Sequence, residues 1–330
     1  MGNISFLGCG SWGGALGYVV VKKGIPVTMW HRNQEIVEAL TETRTHYLVS
    51  SLTFPDNVSF TSNIYEAIHG ADTVILAIPS QSIRGLIRSC QEIWMEEQTF
   101  VNVSKGIEIY TLMTVSEVIN DVLGDTYKNI VTLSGPSHAE EVIEGHPTTL
   151  VSASLNTKAA RAVQKLFSNE TLRIYVNADI KGVELGGSIK NVIAIAAGIV
   201  DGIGYGDNTK AALLTRGLSE ISRLGAAMGG SVTTFSGLSG IGDLMVTCFS
   251  KYSRNRFIGE KIGKGKSLTE ILKEMSMVAE GVSTAESVYQ LSKKYRIEMP
   301  ISHSVHDILF KEKDPKTTIH ELMSRELIEE

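Results

Sequence analysis

Lys190 is the only charged residue between Glu184 and Asp201, within Gly186-Gly187-Ser188-Ile189-Lys190-Asn191-Val192. An amine buried in such an apolar helix is costly unless it is paired. Burial lowers a lysine pKa, and a nearby carboxylate raises it again. A lysine balanced in this way can give a proton to a carbonyl oxygen and recover it in the reverse direction. Gly186 and Gly187, one turn earlier, read as leaving room for a ligand. A lysine that runs its stem along the helix and its amine into water has the same sequence signature, so both readings stand here.

A second chemical pattern is Gly8-Cys9-Gly10-Ser11-Trp12-Gly13, a GxGxxG directly after the apolar run Ile4–Leu7 and at the start of a helix. In that order the first glycine makes the tight turn and the second admits a pyrophosphate to the backbone amides. The third lets helix pack on strand, with the helix N-terminus facing the anion. Dinucleotide binding is expected, and Cys9 is read as a small filler. The next strand ends in Trp30-His31-Arg32-Asn33, without the acid that usually holds the ribose hydroxyls of NAD. His31 and Arg32 can instead accept the 2′-phosphate of NADP, so NADP or NAD is expected, with NADPH preferred. An exposed basic loop would have the same composition.

Further along, Gly240-Ile241-Gly242-Asp243-Leu244-Met245-Val246-Thr247 precedes Tyr252-Ser253-Arg254-Asn255-Arg256. Ser253 suits a helix N-cap, and an anion there would meet amides, an arginine and an asparagine. An ordinary solvated helix start shares this composition. Lys105, in Val103-Ser104-Lys105-Gly106, and the turn Ser134-Gly135-Pro136-Ser137-His138-Ala139 each follow a strand. Ligands of parallel sheets bind at such strand ends. The eight histidines show no HxH or HxxxH spacing, and no metal is expected.

The elements behind these residues fall into two halves. Apolar runs at Ile4–Leu7, Val27–Trp30, Thr73–Ile78, Phe100–Val103, Ile130–Leu133 and Thr149–Ser152 alternate with helical segments. Their continuity implies strands covered on both faces, as in a parallel α/β sheet. After about Asn177 the strand signals stop. Helices are expected near 180–200, 209–228, 254–263, 267–274, 281–295 and 302–311, with Met275 and Met277 as core packing. The expected architecture is an N-terminal Rossmann-type doubly wound domain over residues 1–177 and a mostly helical domain over 178–330.

At 330 residues, 43% of them hydrophobic, the chain is long enough for two cores. A net charge of −5 disfavours a nucleic-acid partner. Cys9, Cys90 and Cys248 form no CxxC pair and suit a reducing compartment. The start MGNISFLGCG lacks the pattern of a signal peptide. The apolar run Val192–Val200 is too short to cross a bilayer. A cytoplasmic protein without membrane insertion is expected.

Taken together, GCGSWGGAL, VSKGIE, SGPSHAEEV, ELGGSIKNVIAIAAGIVDGIGYG, GLSGIGDLMVTCFSKYSRNR and VAEGVSTAESV resemble bacterial-type NAD(P)-dependent glycerol-3-phosphate dehydrogenase, from Gly8 to about Ile301. The resemblance implies NAD(P)H-dependent reduction of dihydroxyacetone phosphate to sn-glycerol 3-phosphate, supplying glycerophospholipid synthesis, by a homodimer. It implies that Lys190 is the acid/base, Asp243 its electrostatic partner and Lys105 a substrate contact near the carbonyl. Gly135, Ser137, Asn191, Thr247, Ser253, Arg254 and Asn255 are similar to substrate-binding positions, with Arg254 on the phosphate. For the cofactor, Ser11, Trp12, His31, Arg32, Lys105, Ala139, Arg254, Val278 and Glu280 match. Two departures stand out. His138 replaces a usual Phe, and a Tyr-Leu-Pro-like segment in the 41–55 loop reads Tyr47-Leu48-Val49. A rival within the same two-domain plan is a 3-hydroxy-acid or ketopantoate dehydrogenase, with a carboxylate clamp in place of a phosphate clamp. A non-catalytic nucleotide sensor would have no need of Lys190 and Asp243.

Overall fold

The computed structural model describes residues 2–275, 278–327 and 329. The chain divides into two compact units, Met1–Lys105 with Met113–Glu184, and Gly106–Leu112 with Leu185–Glu330. The division falls inside a helix, after Glu184, and a short excursion after Lys105 belongs to the second unit.

The first unit runs β1 (Asn3–Leu7), α1 (Ser11–Val21), β2 (Val27–Trp30), α2 (Gln34–Thr43), β3 (Val58–Thr61), α3 (Ile64–Ile68), β4 (Ala71–Leu76) and α4 (Ile83–Ser89). It continues with β5 (Thr99–Asn102), α5 (Val115–Leu123), β6 (Ile130–Ser134), α6 (Ala139–Ile143), β7 (Thr148–Ala153), α7 (Thr157–Phe167) and β8 (Leu172–Asn177). The sheet order is β3-β2-β1-β4-β5-β6-β7-β8. All neighbours are parallel except β6 and β7, so the parallel expectation needs that one correction. The central strands are buried on both faces, as the consecutive pairs Phe6 and Leu7, Ile75 and Leu76, and Phe100 and Val101 show. β3 and β8 lie at the two edges and escape detection as continuous apolar runs. In β8, Leu172 and Ile174 are buried while Arg173 and Tyr175 face out. α7 shows the helical counterpart, with Asn156 as N-cap and Ala159, Ala160, Val163, Leu166 and Phe167 turned inward.

α8 (Ile180–Ile203) begins at the end of the first unit. There the buried Glu184 carboxylate accepts hydrogen bonds from Asn102 Nδ2 (3.2 Å), Thr132 Oγ1 (2.8 Å), Ser116 N (3.0 Å) and Ser116 Oγ (2.5 Å). Asn102 at the end of β5, Thr132 within β6 and Ser116 at the start of α5 thereby anchor α8 near its beginning.

The second unit continues with α9 (Asp207–Ala227), α10 (Val232–Phe235), α11 (Asp243–Phe249), α12 (Arg254–Gly263), α13 (Leu268–Glu274), α14 (Glu280–Tyr295), α15 (Pro300–Phe310) and α16 (Pro315–Met323). α8 and α12 pack with backbones almost touching. A Cβ on Gly259 would come 2.0 Å from the Ile195 carbonyl oxygen, and one on Gly198 2.0 Å from that of Arg256. Gly202 and Gly263 extend the same seam. Asp201 locks its far end, accepting from Arg256 Nε (2.7 Å) and Lys210 Nζ (2.8 Å).

Among the described residues, two stretches, Ile180–Ile203 and Val232–Phe249, are long and apolar enough to cross a membrane by length and composition. The nine-residue run therefore understates α8, because Gly, Ser and Lys190 interrupt an otherwise apolar helix. Every residue of α8 from 182 to 200 is buried, as expected of a core helix. Met275 is partly buried against this core. Met277 lies outside the described residues.

Candidate functional site

In the first unit, the turn between β1 and α1 leaves little choice of residue. Gly8 has φ +111°, and a Cβ there would lie 2.4 Å from the Ala77 carbonyl oxygen. A Cβ on Gly13 would lie 2.2 Å from the Gly8 carbonyl oxygen, so this glycine closes helix onto strand. Gly10 differs. It is the N-cap of α1 with ordinary φ, no side chain caps the helix, and nothing lies within 4 Å of where its Cβ would be. Open space in front of a helix start without a side-chain cap fits the pyrophosphate of a dinucleotide. Ser11 and Trp12 follow in the first turn. Cys9 is fully buried, and burial pushes its thiol up to about 12, which agrees with a filler and not a nucleophile.

β2 delivers His31 and Arg32. Arg32 is exposed. His31 Nδ1 accepts from Asn33 N (3.1 Å), and Asn33 caps α2 by accepting from Glu35 N (2.8 Å). Partial burial, followed by the charge of Arg32, lowers the His31 pKa. At the end of β5, Asn102 Oδ1 accepts from Ser104 N (2.9 Å), shaping the turn that presents Lys105. Lys105 Nζ and Ser137 Oγ both donate to the Gly135 carbonyl oxygen, each at 3.0 Å. Gly135 has φ +140°, a backbone state that only glycine adopts readily. His138 takes the N-cap position of α6, and Ala139, its first residue, is buried. Lys105, Gly135, Ser137 and Ala139 are therefore neighbours at the ends of β5 and β6.

In the second unit, Lys190 is buried. Its Nζ donates to Asp243 Oδ1 (2.9 Å) and to Thr247 Oγ1. Thr247 Oγ1 in turn donates to the Asp243 carbonyl oxygen (2.6 Å), which orients its lone pairs toward the ammonium. Asp243 and Thr247 are 1% and 5% exposed, so this is a buried ion pair and not a lysine reaching for water. The carboxylate favours the charged amine against the cost of burial. Gly186 does not leave room for a ligand. A Cβ there would lie 2.9 Å from the Ser239 carbonyl oxygen, so this glycine admits the turn Leu238–Gly242 that leads Asp243 to Lys190.

One residue beyond Lys190, the Asn191 side-chain oxygen accepts from Asn255 Nδ2 (2.9 Å), and Asn255 Oδ1 accepts from Gly281 N (3.0 Å). This relay ties α8, α12 and α14 together. Ser253 is the N-cap of α12, accepting from Arg256 N (3.2 Å). Arg254 is exposed, and its guanidinium donates to the Val278 carbonyl oxygen (2.9 Å), two residues before Glu280 opens α14. Gly259, which helps set the pose of α12, carried no chemical signal in the sequence, and Asp201 was legible only as the far boundary of an uncharged run. Glu184 was legible only as the boundary of an uncharged run. Among the described residues, no cluster of His, Cys, Asp and Glu could hold a metal ion.

Two family profiles match the chain. "NAD-dependent glycerol-3-phosphate dehydrogenase N-terminus" covers residues 3–160, and "NAD-dependent glycerol-3-phosphate dehydrogenase C-terminus" covers 179–320. The chain is 48% identical to glycerol-3-phosphate dehydrogenase [NAD(P)+] of Thermoanaerobacter sp. over 98% of its own length and 97% of that protein. It superposes on the crystal structure of glycerol-3-phosphate dehydrogenase from Coxiella burnetii with a TM-score of 0.94 at 33% identity, covering 98% and 99% of the two chains. A ketopantoate reductase family structure from Ralstonia eutropha shares the fold alone, with a TM-score of 0.63 and 15% identity over 96% of this chain and 100% of that one.

Proposed function

The chain belongs to the NAD-dependent glycerol-3-phosphate dehydrogenase family, and from that premise we propose that it reduces dihydroxyacetone phosphate to sn-glycerol 3-phosphate with NADPH or NADH. The observation that carries this reading is the buried Lys190–Asp243–Thr247 cluster, a charged amine held ready by a carboxylate and a hydroxyl. When bound, the nicotinamide dinucleotide supplies a hydride to the ketone carbon. Lys190 gives its proton to the carbonyl oxygen, so the ketone gains one hydride and one proton and leaves as a secondary alcohol. Asp243 holds the ammonium in place before transfer and favours its reprotonation afterwards. Lys105 adds a second positive charge for the developing alkoxide.

Gly135, Ser137, Asn191, Thr247, Ser253, Arg254 and Asn255 complete the substrate contacts in this reading, with Arg254 and the start of α12 on the phosphate. Remote phosphate binding then orients the ketone. Gly8, Gly10, Ser11, Trp12 and Gly13 hold the pyrophosphate, His31 and Arg32 the adenosine ribose. Ala139, Val278 and Glu280, with Lys105 and Arg254, complete the cofactor contacts. The reading includes a cytoplasmic homodimer. Three buried free cysteines suit a reducing compartment, and closed two-fold dimers are the commonest oligomers. Cell fractionation and light scattering test these two points.

The deciding experiment is steady-state oxidation of NADPH and of NADH in parallel, with dihydroxyacetone phosphate and with a panel of 2-keto acids. Turnover confined to the phosphorylated ketone is expected. Turnover confined to a keto acid would transfer the assignment to the carboxylate-binding relatives of the fold.

A further inference from the structure

The turn after α2 reaches back to the glycine turn through a single buried side chain, His46, which is 2% exposed. Its Nδ1 accepts from Leu48 N (3.1 Å) and Val49 N (3.2 Å), so the ring proton is on Nε2. Nε2 then donates to the Cys9 carbonyl oxygen (3.0 Å), in the middle of Gly8–Gly13. Val49 stands where the resembled Tyr-Leu-Pro segment has proline, which has no amide hydrogen to donate. The ring also lies on α1, because a Cβ on Gly14 would meet His46 Cδ2 at 2.6 Å. The glycine after GxGxxG thus makes room for this imidazole.

Tyr47 stacks on the same ring, with centroids 5.0 Å apart and planes at 18°. Its hydroxyl oxygen lies 3.4 Å from His31 Nε2, and its ring meets His31 edge-on at 5.6 Å. His31 Nδ1 meets both Asn33 N (3.1 Å) and the Asn33 carbonyl oxygen (3.4 Å), and its Nε2 and the Tyr47 hydroxyl form a hydrogen bond in which either group is able to donate. A continuous path therefore runs from the Cys9 carbonyl through His46 and Tyr47 to His31, joining the pyrophosphate turn to the ribose end of the candidate cofactor site. The first unit contains all of it.

We propose that His46 is a positioning residue for the dinucleotide: it fixes the carbonyl orientation of the glycine turn and, through Tyr47, the place of His31 beside Arg32. This rests on the assignment of the glycine turn to a nicotinamide dinucleotide. His46 itself faces the Cys9 carbonyl and touches no reacting atom. Its contribution appears in cofactor affinity and not in the chemical step.

The test is calorimetric titration of NADPH and NADH into wild type, His46→Gln and Tyr47→Ala, with melting temperature and kcat at saturating cofactor measured alongside. His46→Gln is expected to raise Kd for both cofactors by roughly tenfold, the scale of one lost buried hydrogen bond to the turn, with kcat and KM for the ketone unchanged. Tyr47 is 41% exposed, so Tyr47→Ala is expected to keep a melting temperature near that of wild type. It should weaken NADPH more than NADH, by less than tenfold, because it frees only the His31 end. A folded His46→Gln variant with wild-type Kd for both cofactors overturns the proposal, as does Tyr47→Ala with an unchanged NADPH-to-NADH ratio of Kd. If His46→Gln does not fold, the Tyr47→Ala ratio decides. Wild type that binds cofactor, weakened in these variants, yet leaves dihydroxyacetone phosphate untouched would support this inference and reject the substrate assignment alone.

Discussion

The glycine turn at Gly8–Gly13 and the cluster at Lys190 prepare for charge in opposite ways. The turn contributes backbone dipoles. It keeps an open space beside Gly10 and uses glycines to bring strand, turn and helix close together. The lysine cluster contributes formal charges, already paired and buried, from α8 and α11. A backbone cradle costs little to maintain when empty and accepts an anion from outside. A buried ammonium is tolerable only because its counter-charge is built in, since an ion stripped of water and left unpaired is expensive. The first arrangement suits binding, and the second suits holding a proton whose transfer must be reversible.

That contrast is open to direct attack. The largest effect should come from Asp243→Ala, which strands the Lys190 ammonium in the core. Breaking a buried pair costs about 3–5 kcal/mol, and denaturant unfolding will show it. A change below about 1 kcal/mol would mean that water reaches the amine and that the pair is not a buried one.

Next comes Lys190→Ala, which removes the proposed proton donor and leaves the cradle intact. Turnover should fall by about 10²-fold or more while cofactor Kd holds. Near wild-type kcat in a folded variant would remove Lys190 from the chemistry.

Gly10→Ala probes the other side of the comparison. Its φ is ordinary and the space is open, so melting temperature should not drop. Its methyl group would occupy the cradle and weaken both cofactors by roughly tenfold. Unchanged affinity would place the pyrophosphate elsewhere.

The smallest effect is expected from Arg32→Ala. Arg32 is exposed, and a screened charge contributes about 1 kcal/mol, under tenfold in affinity. The NADPH-to-NADH ratio of kcat/KM should fall by that factor, and an unchanged ratio would deny Arg32 any reading of the 2′-phosphate.

How much of this was legible beforehand follows the same division. The glycine turn and the Ser253 cap depend on residues a few positions apart. Their conformation is set by covalent neighbours, and the structure places the turn and the cap as read. β3 and β8 were missed because edge strands alternate rather than run apolar. The length of α8 was understated because its small and polar residues break the run while the helix stays buried.

The sequence by itself determined where a glycine turn would join strand to helix and that Lys190 would stand alone in an apolar helix. It could not decide whether that lysine was paired, because Asp243 and Thr247 reach it from 53 and 57 residues away. Nor could it show that Gly186 makes way for the Ser239 carbonyl rather than for a ligand, or that His46 crosses 37 residues to hold Cys9. Those are choices of tertiary packing. Local sequence sets which backbone conformations and helical faces are cheap, but which polar groups meet in the interior depends on how the elements approach one another. There a partner a few ångströms away separates a stable charge from a costly one.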